Sequence, residues 1–302
     1  MDSGDIAALA GALGWAVAGI ILKSATVRVR ALKINAVFIF LTASLGLIVA
    51  AAAGQIGDVF SINRTDSALL LGGAVVGTTG DLALFRSITI GELGRNFTTA
   101  TAVFVLASAF GGWLILDESV SGYMLVGGLL ILLGVYLTNV PAGAFVNGLR
   151  GLVPESWHSW RDARSAPVLA IIAGLLWMAS LLMIAEGIAG HDAIAANGLS
   201  NLAPLVIYAV IILAWAPARP LPMARADGVR VVVAGLLFGA SILSFMFALE
   251  LSDASSTAIL VSSSPLFLVP LSVIFLGERL TSRATAGLAL TLAGVFLVVG
   301  LG

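Results

Sequence analysis

The sequence predicts an all-α polytopic membrane protein in which ten transmembrane helices form two inverted five-helix repeats. Three observations lead to this prediction: an apolar composition, ten apolar segments long enough to cross a bilayer, and one helix-turn-helix pattern that occurs twice. The 302 residues are 60% hydrophobic and 10% charged, with a mean hydropathy of +1.10, whereas a soluble domain carries about 25% charged residues. Because so few charges could not cover a surface that faces water, we expect the chain to lie in lipid.

Ten apolar segments approach the roughly 20 residues that a spanning helix needs. They run approximately over Ile6–Leu22, Ile34–Gly54, Ser67–Thr89, Asn96–Leu116, Tyr123–Asn139, Pro167–Gly190, Gly198–Ala216, Val229–Leu249, Thr257–Leu276 and Ala284–Leu301. Most connections between them are short. The exception, from Val140 to Ala166, contains several Trp and Arg residues, a composition typical of a segment at the membrane surface.

Two stretches, one late in each half of the chain, carry an internal repeat. The segment from Phe275 to Gly300 aligns without a gap with that from Ile115 to Asn139 when 160 is subtracted from the later numbers. The aligned pairs include Leu276 on Leu116, Glu278 on Glu118, Gly287 on Gly127 and Gly294 on Gly134. The repeat predicts a first five-helix unit at 1–140, a cytoplasmic linker at 141–166 and a second unit at 167–302. The paired glycines share one helix face and predict close helix packing.

Orientation follows from Lys and Arg, which concentrate in cytoplasmic loops. Ten spans place 14 of the 15 basic residues on one side of the membrane and only Arg64 on the other. We therefore expect a multi-pass protein of the cell (inner) membrane with both termini on the outer (periplasmic) side. Because each half has an odd number of spans, the second half enters the membrane in the opposite orientation. Inverted repeats are the architecture of many secondary transporters, whose solute sites lie near the bilayer midplane.

A set of residues in the second half forms a recognisable pattern: Ala248-Leu249, Pro265, Gly277-Glu278-Arg279, Gly287 and Gly294. With ten spans in two halves, this pattern resembles the EamA branch of the drug/metabolite transporter superfamily. The first half matches less well, because Asp117-Glu118 replaces Gly-Glu and Val105 stands where the second half has proline. The resemblance covers nearly the whole chain.

The resemblance implies a secondary transporter that moves a small organic solute, such as an amino acid, an amine or a related metabolite or drug, by alternating access. Export is the expected direction, and uptake or facilitated exchange by the same fold is the alternative. A non-transporting scaffold or receptor fits less well, because the sequence has no large soluble domain. The implied partners are the solute, the lipid bilayer and protons, with a homodimer as an option.

Asp81 is the carboxylate that the sequence places well inside a span, the third. A charge at membrane depth costs about 2.5–3.5 kcal/mol, so this side chain should face the bundle interior or a water-filled cavity. It is a candidate for binding a solute ammonium and for proton coupling; the alternative is a structural ion pair with Arg86 or Arg95. Glu186, late in the sixth span, is a second coupling candidate, unless it simply reaches the headgroup layer.

Trp15 and Trp177 lie near the middle of the first span of each half. Most membrane Trp residues lie at the interfaces, so this position is unusual. Facing a cavity, the two indoles would form flat apolar walls and could stack on a cation or a ring. The alternative is core packing between helices.

The ninth span contains a polar run that ends at a proline: Ser262, Ser263, Ser264 and Pro265. Because proline has no N–H, it cannot bond the carbonyl of Val261, four residues back. A freed carbonyl and serine hydroxyls would be ligands for polar solute groups; the alternative is a kink satisfied by the serines. Asn96 gives a polar start to the fourth span, which the repeat relates to the ninth.

Motifs for other classes of protein are missing from the sequence. There is no cysteine, which excludes disulfides and Cys-based metal sites. No GxxxxGKS/T or HExxH motif occurs, and neither His lies in the middle of a span. We expect neither an enzyme nor a cofactor or metal site, and no basic tail suggests a nucleic-acid partner. His191 and Asp192, in an outer loop, are expected to be solvated.

Overall fold

The computed structural model describes residues 2–23, 29–90, 93–117, 121–139, 165–214, 223–276 and 282–301. All regular secondary structure in these residues is α-helical. The helices are α1 (Ser3–Lys23), α2 (Ala31–Ala52), α3 (Ile56–Val59), α4 (Arg64–Ile90), α5 (Leu93–Ile115), α6 (Gly122–Asn139), α7 (Ala166–Ile188), α8 (Ala193–Ser200), α9 (Leu202–Ala214), α10 (Arg225–Leu251), α11 (Ala254–Val261), α12 (Pro265–Leu276) and α13 (Ser282–Leu301). Glu118, the motif residues 277–279 and the linker residues 141–164 lie outside the described residues.

Six segments are long and apolar enough to cross a membrane: Ser3–Leu22, Ala31–Ala52, Arg64–Ile90, Ala166–Ile188, Ala193–Ala214 and Arg225–Leu251. Four shorter apolar helices occupy the remaining predicted positions: Thr99–Ile115, Gly122–Gly134, Ala254–Leu268 and Thr285–Leu297. The described residues thus contain one apolar helical segment for each of the ten predicted spans. The predicted fold class, an all-α polytopic membrane protein, is confirmed.

The closest helix contacts join the two halves of the chain. Helix α4 packs against α7, and α1 packs against α10. Because the repeat relates α1 to α7 and α4 to α10, each of these contacts is the image of the other. The α4–α7 pair is antiparallel, since Gly73 faces Ile184 while Gly80, further along α4, faces Trp177. The first helix of each half therefore packs on a helix of the other half, and the two halves are interlocked.

The third close contact, between α6 and α13, pairs two helices that are each other's counterparts in the repeat. A Cβ added at Gly134 would lie 2.5 Å from the carbonyl oxygen of Gly287, and one added at Gly294 would lie 2.5 Å from that of Gly127. These two approaches are equivalent under the repeat. Small residues allow membrane helices to approach this closely, so the predicted packing role of these glycines is confirmed.

The seventh span was predicted as one helix over Gly198–Ala216, and the structure differs. It starts earlier, at Ala193, because an Asp192 Oδ1 that accepts a hydrogen bond from the Ile194 amide at 2.8 Å caps the new helix. It also divides at Asn201 into α8 and α9. Pro204, in the first turn of α9, has no N–H for the carbonyl four residues back, which explains the division.

The ninth span, predicted as one helix over Thr257–Leu276, is also divided. Helix α11 ends at Val261 and α12 begins at Pro265. Pro265 offers no N–H to the Val261 carbonyl, which instead accepts a hydrogen bond from the Ser264 amide at 3.3 Å. In the structure this carbonyl therefore has a partner within the chain. Discontinuous helices of this kind are found at the solute sites of many transporters.

Candidate functional site

The contact between α4 and α7 determines the surroundings of Asp81. Ser180 Oγ on α7 donates a hydrogen bond to the Gly73 carbonyl on α4 at 2.7 Å, so a hydrogen bond joins the two packed helices. Further along, a Cβ at Gly80 would lie only 2.8 Å from Trp177 Cδ1. Because Gly80 has no side chain, the Trp177 ring can lie directly beside the neighbouring residue, Asp81.

Trp177 Nε1 donates a hydrogen bond to Asp81 Oδ1 at 2.9 Å. This bond joins a predicted carboxylate in the first half to a predicted aromatic residue in the second half. Asp81 is half-buried, and no described Lys, Arg or His forms an ion pair with it. The alternative of a pair with Arg86 is therefore not realised, and the side chain of Arg95 lies outside the described residues.

An aromatic row extends from Asp81 toward Trp15. Its members, in order of contact, are Phe85, Phe38, Phe238, Trp15 and Phe245, with neighbouring ring centroids 5.9, 5.1, 6.2 and 6.3 Å apart. Phe85 lies one helical turn after Asp81 on α4. Aromatic pairs with centroids 4.5–7 Å apart attract each other. Trp15 therefore takes part in packing, as the sequence alternative proposed, and the row leads to the carboxylate.

The repeat relates Trp15 to Trp177, yet their indole N–H groups differ. Trp177 Nε1 is bonded to Asp81, whereas Trp15 Nε1 is buried and has no hydrogen-bond partner among the described residues. The residue that the repeat places opposite Asp81 is Ser241, whose hydroxyl donates to the Leu237 carbonyl of its own helix at 2.8 Å. Equivalent positions of the two repeats therefore carry different polar side chains, and at this position only the first half has a carboxylate.

Two further polar residues lie near Asp81 and were not predicted as site residues. Asn35 Nδ2 on α2 donates to Tyr208 Oη on α9 at 2.8 Å and to the Thr78 carbonyl on α4 at 3.2 Å. Asn35 and Tyr208 are 2% and 7% exposed. Their only signal in the sequence is that both are polar residues within apolar helices.

The predicted serine run is buried. Ser262 Oγ donates to the Ala258 carbonyl at 2.7 Å, and Ser263 Oγ donates to the Leu260 carbonyl at 2.6 Å. The hydroxyls thus bond within their own span, which agrees with the structural alternative for this run. Trp15 and Trp177 both pack against one core cluster that contains residues 258–261, immediately before the serines. The serines themselves have no described contact with either Trp side chain, and their assignment as solute ligands stays a prediction.

Asn96 and Glu186 lie apart from Asp81. Asn96 is buried, and its Nδ2 donates to the Ser87 carbonyl near the end of α4 at 3.0 Å. Glu186 is exposed on α7; it lies nine residues after Trp177, which is about 13 Å along a helix. Their assignments as solute-binding and coupling residues stay predictions.

Just after the C-terminal end of α7, polar residues link the two halves. His191 Nε2 lies 2.7 Å from Asp66 Oδ2, and Gln55 Nε2 donates to Asp192 Oδ2 at 3.0 Å. Asp192 is exposed, as expected, and His191 is half-buried; both are also bonded to residues of the first half. Glu250 Oε2 accepts a hydrogen bond from the Ala193 amide at 3.0 Å and helps to cap α8.

The inverted five-helix repeats and the divided seventh and ninth spans define the class: a polytopic membrane protein with the architecture of a secondary transporter. A model of the EamA-like transporter family matches residues 2–140 and, a second time, residues 164–300. The chain therefore belongs to the EamA-like transporter family, which is a family of transporters and not of enzymes.

Solved structures support the same fold. One, titled "Crystal structure of protein", has a TM-score of 0.76 and covers 98% of this chain and 96% of its own, at 15% sequence identity. At this identity the likeness concerns the fold alone. Comparison with curated proteins gave no match.

Proposed function

We propose that this protein is a secondary transporter that carries a small organic solute, an amino acid, an amine or a related metabolite or drug, across the cell (inner) membrane by alternating access. Export is the proposed direction, with protons as the coupling ion. The solute site lies at Asp81 and Trp177. It extends along the aromatic row to Trp15.

The observation that carries this proposal is the environment of Asp81. Its carboxylate lies within a span, accepts one hydrogen bond from an indole, and forms no ion pair with a described residue. A charge at membrane depth needs compensation, and residues of this kind mark substrate and proton pathways. Compensation is available from a proton or from a cationic group of the solute, and alternation between the two would couple transport to a proton gradient.

The remaining candidates have supporting roles in this proposal. The indoles of Trp15 and Trp177 offer flat faces to the apolar part of the solute. Ser262, Ser263, Ser264 and Pro265 mark the break in the ninth span, and Asn96 marks the start of its counterpart. Glu186, exposed on α7, is proposed as a carboxylate through which protons reach the outer surface.

Flux into proteoliposomes tests the proposal. Wild-type protein is compared with Asp81→Asn and with Asp58→Asn, which changes an exposed carboxylate on the short helix α3. Labelled amino acids and amines are offered with and without a pH gradient. We expect gradient-driven accumulation by the wild type and by Asp58→Asn, and its loss in Asp81→Asn. Equal accumulation by all three proteins would exclude Asp81 from the site, and no flux of any offered solute above that of empty liposomes would count against the transporter assignment.

A further inference from the structure

The hydrogen bond between Asn35 and Tyr208 is buried, and the proposed function gives it no role. It joins α2 of the first half to α9 of the second half. A buried polar group that lacks a partner costs about 1–3 kcal/mol, so polar residues in such positions are normally fully bonded. Each polar hydrogen of the pair is therefore expected to have an acceptor.

Asn35 uses both of its amide hydrogens. One goes to Tyr208 Oη at 2.8 Å and the other to the Thr78 carbonyl at 3.2 Å. The phenol oxygen is thus an acceptor in this bond, and its own hydrogen points elsewhere. No acceptor for that hydrogen is found among the described residues, although the Tyr208 side chain is buried.

The geometry of α4 places this hydrogen near Asp81. The Asn35 amide donates both to Tyr208 Oη and to the Thr78 carbonyl. Thr78 precedes Asp81 by three residues on α4. Residues three apart on a helix are neighbours on one face, with Cβ atoms about 5–6 Å apart. Asp81 is also close enough to Tyr208 for its charge to act on the phenol. Its Oδ1 accepts from Trp177, and its Oδ2 has no partner in the described part of the chain.

We propose that Tyr208 is a positioning residue for Asp81: its hydroxyl, held by Asn35, donates to Asp81 Oδ2 when the carboxyl group is charged. Asp81 would then be held by two donors of the second half, the indole of Trp177 on α7 and the phenol of Tyr208 on α9. A proton or a solute cation that binds at Oδ2 must displace the Tyr208 hydroxyl, whereas the Trp177 bond to Oδ1 can persist. The consequence for transport rests on the proposed function, whereas the contact itself does not.

The test uses N,N′-dicyclohexylcarbodiimide, an apolar reagent that adds to protonated carboxyl groups, on the full-length protein in detergent at one pH. Adducts at Asp81 and at the exposed Glu186 are quantified by mass spectrometry. Removal of a donor favours the protonated, reactive form. We expect Tyr208→Phe to raise the rate of Asp81 modification about tenfold, equivalent to about 1.4 kcal/mol, as Trp177→Phe should also do. The rate at Glu186 should not change.

Two further variants separate positioning from general loosening. Asn35→Ala should raise the Asp81 rate as Tyr208→Phe does, and the double variant should be no faster than either single one, because the two residues act as a unit. Tyr123→Phe, at a tyrosine that is 53% exposed, should match the wild type. A wild-type rate in Tyr208→Phe, additive effects of Tyr208→Phe and Asn35→Ala, or a parallel rise at Glu186 would each overturn the proposal. Because no transport is measured, failure of the transporter assignment would leave this result standing.

Discussion

Replacing Gly134 by alanine should weaken the contact between α6 and α13. The added Cβ would lie 2.5 Å from the Gly287 carbonyl oxygen, while ordinary van der Waals contact begins at 3.4 Å. The two backbones must therefore separate locally by about 0.9 Å, the difference between these distances. Overpacking of this kind costs about 1–3 kcal/mol.

The measurement is thermal unfolding of the purified protein in detergent. For Gly134→Ala we expect a fall in Tm of about 2–12 °C, since 1 kcal/mol corresponds to about 2–4 °C in proteins of roughly 150–250 residues. Gly128→Ala on the same helix is the matched control, because the nearest atom to its Cβ would be Ile259 Cδ1 at 3.6 Å, an ordinary contact. Its Tm should not fall.

The repeat adds a second requirement. Gly294→Ala should lower Tm as Gly134→Ala does, because its Cβ meets the Gly127 carbonyl oxygen at the same 2.5 Å. The double variant should cost less than the sum of the two, since helices already pushed apart by one methyl group can accommodate the other. A Tm of Gly134→Ala equal to that of Gly128→Ala would contradict this prediction. So would a double variant whose fall in Tm equals the sum of the falls of Gly134→Ala and Gly294→Ala.

Three other predictions concern orientation and the site. A reporter fused after Gly302 should behave as an outside domain and one in the 140–166 segment as an inside domain; the opposite pattern would reject the orientation. Asp81→Asn should abolish gradient-driven accumulation in proteoliposomes at nearly unchanged Tm, because Asn keeps the size but cannot titrate; a lower Tm with unaltered transport kinetics would make Asp81 structural. Gly80→Ala should reduce accumulation, because its Cβ would displace the Trp177 ring, which lies 2.8 Å away; undiminished accumulation would show that the Trp177–Asp81 bond is dispensable.

The fold could be predicted from the sequence because lipid restricts the choice of structure. Backbone groups in a bilayer must be bonded within the segment, so apolar runs of sufficient length become helices. The repeat then supplied the inverted arrangement, and the paired glycines predicted close packing without showing which helices would meet. Asp81 stood out for the same reason, since a charge at membrane depth is costly.

The partners of the site residues could not be predicted in this way. Asn35 and Tyr208 are 173 positions apart, and nothing local distinguishes them from other polar residues within spans. Their meeting depends on how α2 crosses α9, which is a result of side-chain packing along both helices. Trp177 was a candidate site residue because it lies near the middle of a span. Its hydrogen bond to Asp81 depends on the space that glycine leaves at position 80.

The division of the seventh span was not predicted, and at Pro265 in the ninth span the sequence predicted a lost hydrogen bond or a kink but not two separate helices. Hydropathy averages over about twenty residues, and a break of one to three residues barely changes that average. Pro265 and Pro204 each mark a break in the structure, while Pro270 lies inside α12 without ending it. A proline therefore signals a missing hydrogen bond but does not decide whether the helix bends or stops.

The interlocked packing of the halves also bears on how the chain is made. Helix α1 ends at Lys23, but α10, on which it packs, begins only at Arg225. At about 5–20 residues per second, the ribosome needs roughly 10–40 s to synthesise the intervening chain. During that interval the face of α1 around Trp15 must tolerate lipid or the insertion machinery in place of α10. The packing surface that α1 uses in the structure is therefore supplied only when the second half enters the membrane.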